Sequence, residues 1–463
     1  MGIDSATTTR RSFLAAAGSV LCTARAFGAL PSGRPPDVLY IMADDLGWAD
    51  VHCYGRMDVP TPHIDGLAAA GMKFDHAYAN SCVCTPTRVA LLTGRYQNRF
   101  PLGNEEPLGK PDVGIDPGTP GLASLLKRAG YQTVLIGKWH LGMPLSVGPL
   151  KHGYDRFWGI RGGGVDYFTH AVPSDKGAQP DLWDGDVRIE QSGYLTNLLA
   201  DRAVQEVQRC AASDAPFLIS LHFTAPHWPW ETEQDAELAA HIKNMMHFDG
   251  GSLATYQSML RSLDNGIGRV LDALERSGRA SNTIVVFTSD NGGERFAKSW
   301  PLNGMKGELL EGGIRVPLIV RWPNRVRAGS QSNELAMTMD WLPTFLDAAG
   351  AKADADAPSD GISLLPAFDG GTLPERTLFW RYKANDQAAA RSGPWKYLRI
   401  GGHEYLFNVV EDPQERANRK THEPERFEAL KTAWAEWNRT MLPYTPENRS
   451  WDNRSTGSLP DRY

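Results

Sequence analysis

Alternation of apolar strand-like runs with helical segments between residues 37 and 323 predicts an α/β protein. The expected core is a central, mostly parallel sheet between helices, followed by a smaller C-terminal α+β domain with an antiparallel sheet. Three observations carry this. The runs at 38–42, 132–136, 217–223 and 283–287 are rich in Val, Ile, Leu and Phe without strict in/out alternation, as in strands covered on both faces. Helical segments separate them. Each run also ends in polar residues, at the carboxyl edge where open parallel sheets bind ligands.

The chain opens with Thr9-Arg10-Arg11-Ser12-Phe13-Leu14, an apolar run over 14–21 and the small-x-small site Ala24-Arg25-Ala26. This order resembles a twin-arginine export signal over 1–26, with a periplasmic destination. The apolar run falls short of the roughly 18 residues that span a bilayer, so no permanent anchor is expected. Cys22 follows Leu21 rather than a small residue, which makes it a poor lipidation site. Removing three Arg and one Asp with the signal takes the formal charge from −6 to −8. That balance points away from nucleic acid, which needs a basic face. Five cysteines with no C-x-x-C pair give neither a disulfide framework nor a structural zinc site.

The strand at 38–42 runs into Asp44-Asp45, and helices are expected at 62–70 and 120–129, each opened by Thr-Pro and closed by Gly. The strand at 132–136 ends in Gly137-Lys138-Trp139-His140. Residues 145–192 have no clear period and read as an irregular excursion. A helix at 195–211 leads to the strand that empties into Pro226-His227, and a helix at 252–276 leads to the strand ending in Asp290-Asn291. The pattern loosens after 323, and 351–360 is a candidate linker. From 371 the short runs at 377–382, 395–400 and 405–409, then a helix near 424–440, suit an antiparallel sheet with one helix. The expected organisation is a catalytic domain over 27–370 and a small domain over 371–463.

Cys82-Val83-Cys84-Thr85-Pro86-Thr87-Arg88 and the following Thr93-Gly94-Arg95 form the stretch around which the chain is organised. Thr85 reads as an N-cap, Pro86 as the first helical residue and Gly94 as the terminator. Cys84 then stands just outside a helix N-terminus, which favours an anion, and Arg88 lies one turn on. Taken alone, such a Cys is a small buried hydrophobe. Asp44, Asp45, Asp290 and Asn291 supply oxygen ligands without imidazole, an inventory that suits a hard divalent cation, Ca²⁺ before Mg²⁺. Each pair alone reads equally as a turn or cap; their equivalent places at strand ends favour metal. Lys138 and His140 face one way in an extended segment. His227 and Lys306, the latter in Asn303-Gly304-Met305-Lys306-Gly307, have ordinary surface or capping readings of their own.

These pieces together resemble the type I, formylglycine-dependent sulfatases of the arylsulfatase kind. That family shares a D-D-x-G strand end, C-x-P-x-R then T-G-R, a G-K-W-H-L-G loop, a P-H turn, S-D-N-G-G, and K-G-x-x-x-E-G-G-x-R-V-P. Asp44 to Gly47, Cys84 to Arg88, Gly137 to Gly142, Pro226-His227, Ser289 to Gly293 and Lys306 to Pro317 match in the same order. Thr87 stands where the family's signature commonly has Ser. Leu406-Phe407-Asn408 and Asp412-Pro413 also look like the family's second domain, so the likeness spans about 37–415.

The resemblance implies an alkaline-phosphatase-like fold and hydrolysis of aryl or carbohydrate sulfates. It implies that Cys84 is oxidised to 3-oxoalanine (formylglycine) by a formylglycine-generating enzyme. One hydroxyl of the hydrated aldehyde attacks sulfur, and the other, once deprotonated, expels sulfate by C–O cleavage. By the same resemblance, residue 84 joins Asp44, Asp45, Asp290 and Asn291 around one Ca²⁺. Arg88 holds the hydrate, Lys138 and Lys306 bind sulfate oxygens, His227 helps protonate the leaving alcohol and His140 is the base for elimination. The two His roles are interchangeable on sequence. A phosphate or phosphonate monoester hydrolase on the same fold is the enzymatic alternative. A non-catalytic binder of sulfated glycan is the alternative if Cys84 stays a thiol. Trp139, Trp158, Trp228, Trp230 and Trp300 stand near the edge loops as candidates for stacking on a ring.

Overall fold

The computed structural model describes residues 33–106, 112–174, 177–247 and 250–452; the segment expected to be an export signal, 1–26, lies outside them. Its central sheet is built from β1 (Asp37–Ala43), β2 (Met72–Phe74), β3 (Gln132–Lys138), β4 (Arg156–Ile160), β5 (Phe217–His222), β6 (Thr283–Ser289) and β7 (Leu318–Arg321). Across the sheet the order is β2-β7-β6-β1-β5-β3-β4, with short strands at both edges. From β6 through β1, β5 and β3 to β4 every pairing is parallel; β7 runs antiparallel to β6 and to β2. β4 lies inside the stretch expected to be irregular. Five residues containing Gly159 are too few to show a period, yet β4 pairs with β3 from Val134–Arg156 to Lys138–Ile160.

The helices are α1 (Pro62–Ala69), α2 (Cys84–Thr93), α3 (Leu122–Arg128), α4 (Leu195–Ala211), α5 (Leu253–Arg276), α6 (Trp341–Ala349) and α7 (Pro424–Asn438). They cover both sheet faces, and β1 shows how. Leu39 and Ile41 join Leu199, Ala203, Met259, Leu263 and Ile267 from α4 and α5. Val38, Tyr40 and Met42 join Val89, Leu126, Trp341 and Phe345 from α2, α3 and α6. Burying one such side chain contributes about 1.5–3 kcal/mol, so a strand filled on both sides needs no alternation. α6 falls where the sequence pattern loosened; its interior Pro343 hides a helix that buries Trp341, Phe345 and Leu346.

At the C-terminus β8 (Thr377–Tyr382), β9 (Gln387–Ser392), β10 (Trp395–Ile400) and β11 (His403–Asn408) form an antiparallel meander. Trp434 of α7 donates its indole N–H to the Trp380 carbonyl at 2.8 Å. A buried ion cluster ties this sheet to the loop after β6. Lys396 Nζ lies 3.0 Å from Glu311 and 2.9 Å from Glu415, and the Tyr78 hydroxyl donates to Glu311 at 2.6 Å. Gln387 Nε2 donates to the Gly307 carbonyl at 2.8 Å, beside Lys306.

Candidate active site

β1 and β6 pair in register as far as Ala43–Ser289, so the residues that follow, Asp44-Asp45 and Asp290-Asn291, emerge side by side. The Asp45 backbone N–H donates to Asp290 Oδ1 at 3.2 Å. Asp45 (φ 60°) and His140 (φ 56°) both hold left-handed backbone, a conformation costing on the order of 1–3 kcal/mol for such residues. β3 delivers Lys138, the turn after β5 delivers His227, and the loop held by Gln387 delivers Lys306. The structure thus brings every expected site residue to one place beyond the carboxyl ends of the strands, and each is buried.

The start of α2 differs from expectation. Val83 is the N-cap and Cys84 the first helical residue, rather than a residue outside the helix. The reason is a distant cap. The Thr85 backbone N–H donates to Glu106 Oε2 at 2.5 Å, and the Thr85 hydroxyl takes no partner among the described residues. A carboxylate in this place satisfies an orphan donor and opposes the positive helix end. The Thr87 hydroxyl accepts from the Ser81 N–H at 3.1 Å and lies 3.1 Å from the Val83 carbonyl, contacts a serine hydroxyl also makes. Gly94 ends the helix at φ 64°, as expected.

Three cations and three carboxylates interlock around Cys84. Lys138 Nζ lies 2.7 Å from Asp44 Oδ2, and Lys306 Nζ 2.7 Å from Asp45 Oδ2. Arg88 donates to Asp290 Oδ2 from Nε and Nη2 at 3.1 and 2.8 Å, and to the Lys138 carbonyl at 3.0 Å. The other oxygens of Asp44 and Asp45 face the thiol, 3.5 and 3.9 Å from Cys84 Sγ. Burial, joined by the Asp290 charge, raises Asp44 to about 8 against the pull of Lys138 and Arg88. Asp290 is also buried, yet Arg88 and Lys138 hold it below the ordinary carboxylate range. Burial pushes the Cys84 thiol well up. Burial and the surrounding cations push both His140 and His227 well down, so both rings are neutral near pH 7.

The donor set fits a cation. Ligand atoms of Asp44, Asp45, Cys84 and His227 all lie within 4.8 Å of one another, and His227 Nε2 is 3.6 Å from Asp45 Oδ2. Asn291 donates its amide to Asp45 Oδ1 at 2.7 Å, while its own Oδ1 is buried without a hydrogen-bond partner among the described residues. An orphaned amide oxygen beside carboxylates is what a hard cation engages. Above this floor opens a cavity of about 310 Å³, lined by Cys84, Glu106, His140, His227, Trp228, Lys306 and a methionine-rich wall. Lys306 Nζ stands 4.9 Å from the Trp228 ring centroid and 5.2 Å from that of Trp451. Of the tryptophans singled out in sequence, Trp228 lines this cavity. Trp139, Trp158 and Trp230 are buried, and Trp300 is exposed.

Several site residues carry no local sequence signal. Gly162, Gly163 and Gly164 wall the cavity, and a Cβ on Gly163 would stand 2.7 Å from His140 Nε2. Tyr167 directs its hydroxyl at the carbonyls of Thr224 and His227, at 3.0 and 2.9 Å, and fixes the turn that carries His227. Its backbone N–H donates to Glu231 Oε2 at 3.0 Å. Glu231 is buried beside Asp166, and each keeps one carboxylate oxygen without a hydrogen-bond partner among the described residues. Only the gathering of glycines in Arg161-Gly162-Gly163-Gly164 hints at close approach in the sequence.

Burial, then the Asp166 charge, raises Glu231 to about 8. The folded protein therefore keeps a proton that the unfolded chain releases near its ordinary value. This contribution to stability is complete below about pH 4.5 and is lost as pH rises to about 8; it is on the order of a few kcal/mol. Urea unfolding of Glu231→Gln between pH 5 and 8 should show a flatter dependence on pH than wild type. Equal slopes would refute a proton held on Glu231 in the folded state.

Comparison with known proteins places these features in a family. The Sulfatase family model matches residues 36–351, and the N-sulphoglucosamine sulphohydrolase C-terminal model matches residues 306–432. The chain is 32% identical over 415 residues to N-acetylgalactosamine-6-sulfatase of Mus musculus, spanning 82% of this chain and 75% of that protein. It is similar to the crystal structure of Ps i-CgsB in complex with k-i-k-neocarrahexaose, with 30% identity, a TM-score of 0.81, and coverage of 91% of this chain and 96% of the other. The phosphonate monoester hydrolase of Agrobacterium radiobacter has the same fold at 21% identity and a TM-score of 0.61, over 87% of this chain and 94% of that one. The large domain is thus alkaline-phosphatase-like, with a small C-terminal antiparallel domain, and the chain belongs to the sulfatase family of sulfuric ester hydrolases.

Proposed function

We propose that this enzyme hydrolyses carbohydrate sulfate monoesters with residue 84 converted to formylglycine, beside one Ca²⁺ held by Asp44, Asp45, Asp290, Asn291 and residue 84. The observation that carries the reading is the burial of Cys84 between two cation-bearing carboxylates, at the floor of a cavity. A thiol held protonated by burial makes a poor nucleophile, which favours conversion. When bound, the cation supplies Lewis acidity and neutralises charge near the sulfate. Arg88, fixed by Asp290 and the Lys138 carbonyl, orients the modified residue. Lys138 and Lys306 face sulfate oxygens from two sides, a clamp already charged before the substrate arrives. His140, kept neutral and with Nδ1 unpartnered among the described residues, is suited to take a proton in the elimination step. His227 works through Nε2: Nδ1, 2.6 Å from the Trp228 carbonyl, carries the hydrogen of the neutral ring, so Nε2 accepts first and donates to the leaving alcohol only once it has taken up a proton.

A carbohydrate substrate is supported by the similar proteins, an N-acetylgalactosamine-6-sulfatase and a structure in complex with k-i-k-neocarrahexaose. The same reading takes residues 1–26 as a twin-arginine signal, 27–370 as the catalytic domain and 371–463 as the small one, with action in the periplasm. No helix of the described residues is long and apolar enough to cross a membrane. Because the twin-arginine route carries folded proteins and Cys84 is buried after folding, a formylglycine-generating enzyme acts on the extended segment before export.

The test is turnover by protein produced alongside that enzyme. Mass spectrometry should find the residue-84 peptide about 18 Da lighter than the thiol form. The rate on 4-nitrophenyl sulfate should exceed that on 4-nitrophenyl phosphate. The opposite ranking would favour the phosphate ester hydrolase.

A further inference from the structure

The sulfate-binding floor accounts for the charged groups of the cavity except Glu106, which neither the family motifs nor the proposed chemistry uses. Glu106 is 5% exposed and lines the cavity together with Cys84 and Lys306. Its Oε2 accepts the Thr85 N–H at 2.5 Å, so the carboxylate is anchored one residue from the nucleophile. Among the described residues no hydrogen bond engages Oε1. The wall around it is apolar: Met143, Val172, Trp228, Met245, Met246 and Trp451. A single fixed acceptor on a mostly apolar wall orients whatever binds there and sets specificity.

We propose that Glu106 is a specificity-determining residue, accepting a hydrogen bond from a hydroxyl or amide N–H next to the sulfated oxygen and rejecting a second anion at that position. The inference rests on the sulfatase reading and narrows it: the substrate is a vicinally hydroxylated alcohol, as in a sugar ring, carrying one sulfate at the point of cleavage. Two physical terms act together. A buried acceptor left without a donor loses its hydration with no return, which disfavours leaving groups that lack the neighbouring hydroxyl. A second sulfate on that carbon would meet a fixed carboxylate in a low-dielectric wall, and like charges so placed disfavour binding strongly. The apolar wall meets the ring face in either case. Burial raises the Glu106 carboxyl, while Lys306 and the Thr85 N–H oppose the rise.

Three probes on one scaffold isolate the effect: phenyl sulfate, catechol monosulfate and catechol disulfate. E106Q keeps an acceptor for the Thr85 N–H but removes the charge. The ratio of kcat/KM for the monosulfate to that for the disulfate should fall by at least about tenfold in E106Q relative to wild type, with phenyl sulfate as the internal reference. Scaling of all three probes by one factor would overturn the proposal. A second measurement does not depend on turnover by that variant. In Cys84→Ala protein with Glu106 intact, calorimetry should show the monosulfate binding at least about tenfold more tightly than the disulfate. Equal or tighter binding of the disulfate would overturn it. The parent reading fails differently: if wild type with a converted residue 84 turned over none of the three, the sulfatase assignment itself would fall and take this inference with it.

Discussion

Cys84→Ala should fold with a thermal transition within a few degrees of wild type and lose sulfatase turnover by about a thousandfold or more, the scale expected when a nucleophile is removed. Cys84→Ser should do the same, because a serine offers one hydroxyl where the hydrate offers two. The side chain at this position is small and makes only long contacts, 3.5 and 3.9 Å from the Asp44 and Asp45 oxygens. Its loss leaves the Glu106 cap on Thr85 and the Arg88–Asp290 pair in place. Melting by circular dichroism and stopped assays on 4-nitrophenyl sulfate separate the two effects. Retention of a tenth of wild-type activity by Cys84→Ala would refute a nucleophile made from residue 84.

Much of this site was legible in the sequence because its residues stand where strands stop. Asp44-Asp45, Lys138, His227 and Asp290-Asn291 each follow an apolar run, and a parallel sheet must gather such residues at one edge. What escaped was set by contacts across long sequence separations. Glu106 carries no motif, yet its carboxylate caps α2, whose N-cap is Val83 rather than Thr85 and whose first helical residue is Cys84 rather than Pro86. Tyr167 and Glu231 hold the His227 turn without any spacing rule that would place them there. Trp451 reaches the cavity from the far end of the chain. β4 and α6 were missed for local reasons, a glycine in a five-residue strand and a proline in a nine-residue helix. Local pattern reports local conformation; tertiary partners appear only once the chain has closed on them.

Stripping divalent cations should reduce turnover at least about tenfold and lower the melting temperature, and Ca²⁺ should restore both. The charge arrangement gives the reason. Asp44, Asp45 and Asp290 converge in a buried space where Lys138 answers Asp44, Lys306 answers Asp45, and Arg88 answers Asp290 closely and Asp44 at longer range. The closest contacts of these side chains use Oδ2 of the three aspartates; Asp44 Oδ1 faces Cys84 with Arg88 Nη2 at 3.7 Å, Asp45 Oδ1 faces Cys84 and takes the Asn291 amide, and the Oδ1 of Asn291 has no hydrogen-bond partner among the described residues. A hard cation held there would engage oxygens that no lysine or arginine fully satisfies. A ligand that binds only the folded state at a hundred times its Kd stabilises that state by about 2.7 kcal/mol, a shift that calorimetry resolves readily. Asn291→Ala removes the neutral ligand without leaving a buried lysine unpaired. It should therefore weaken Ca²⁺ binding, read by calorimetry, while the cation-free protein melts close to wild type. The presence of His227 within 4.8 Å of the same donors makes zinc the competing ion. Elemental analysis should find about one Ca²⁺ per chain; stoichiometric zinc in protein purified without added metal would overturn the calcium assignment.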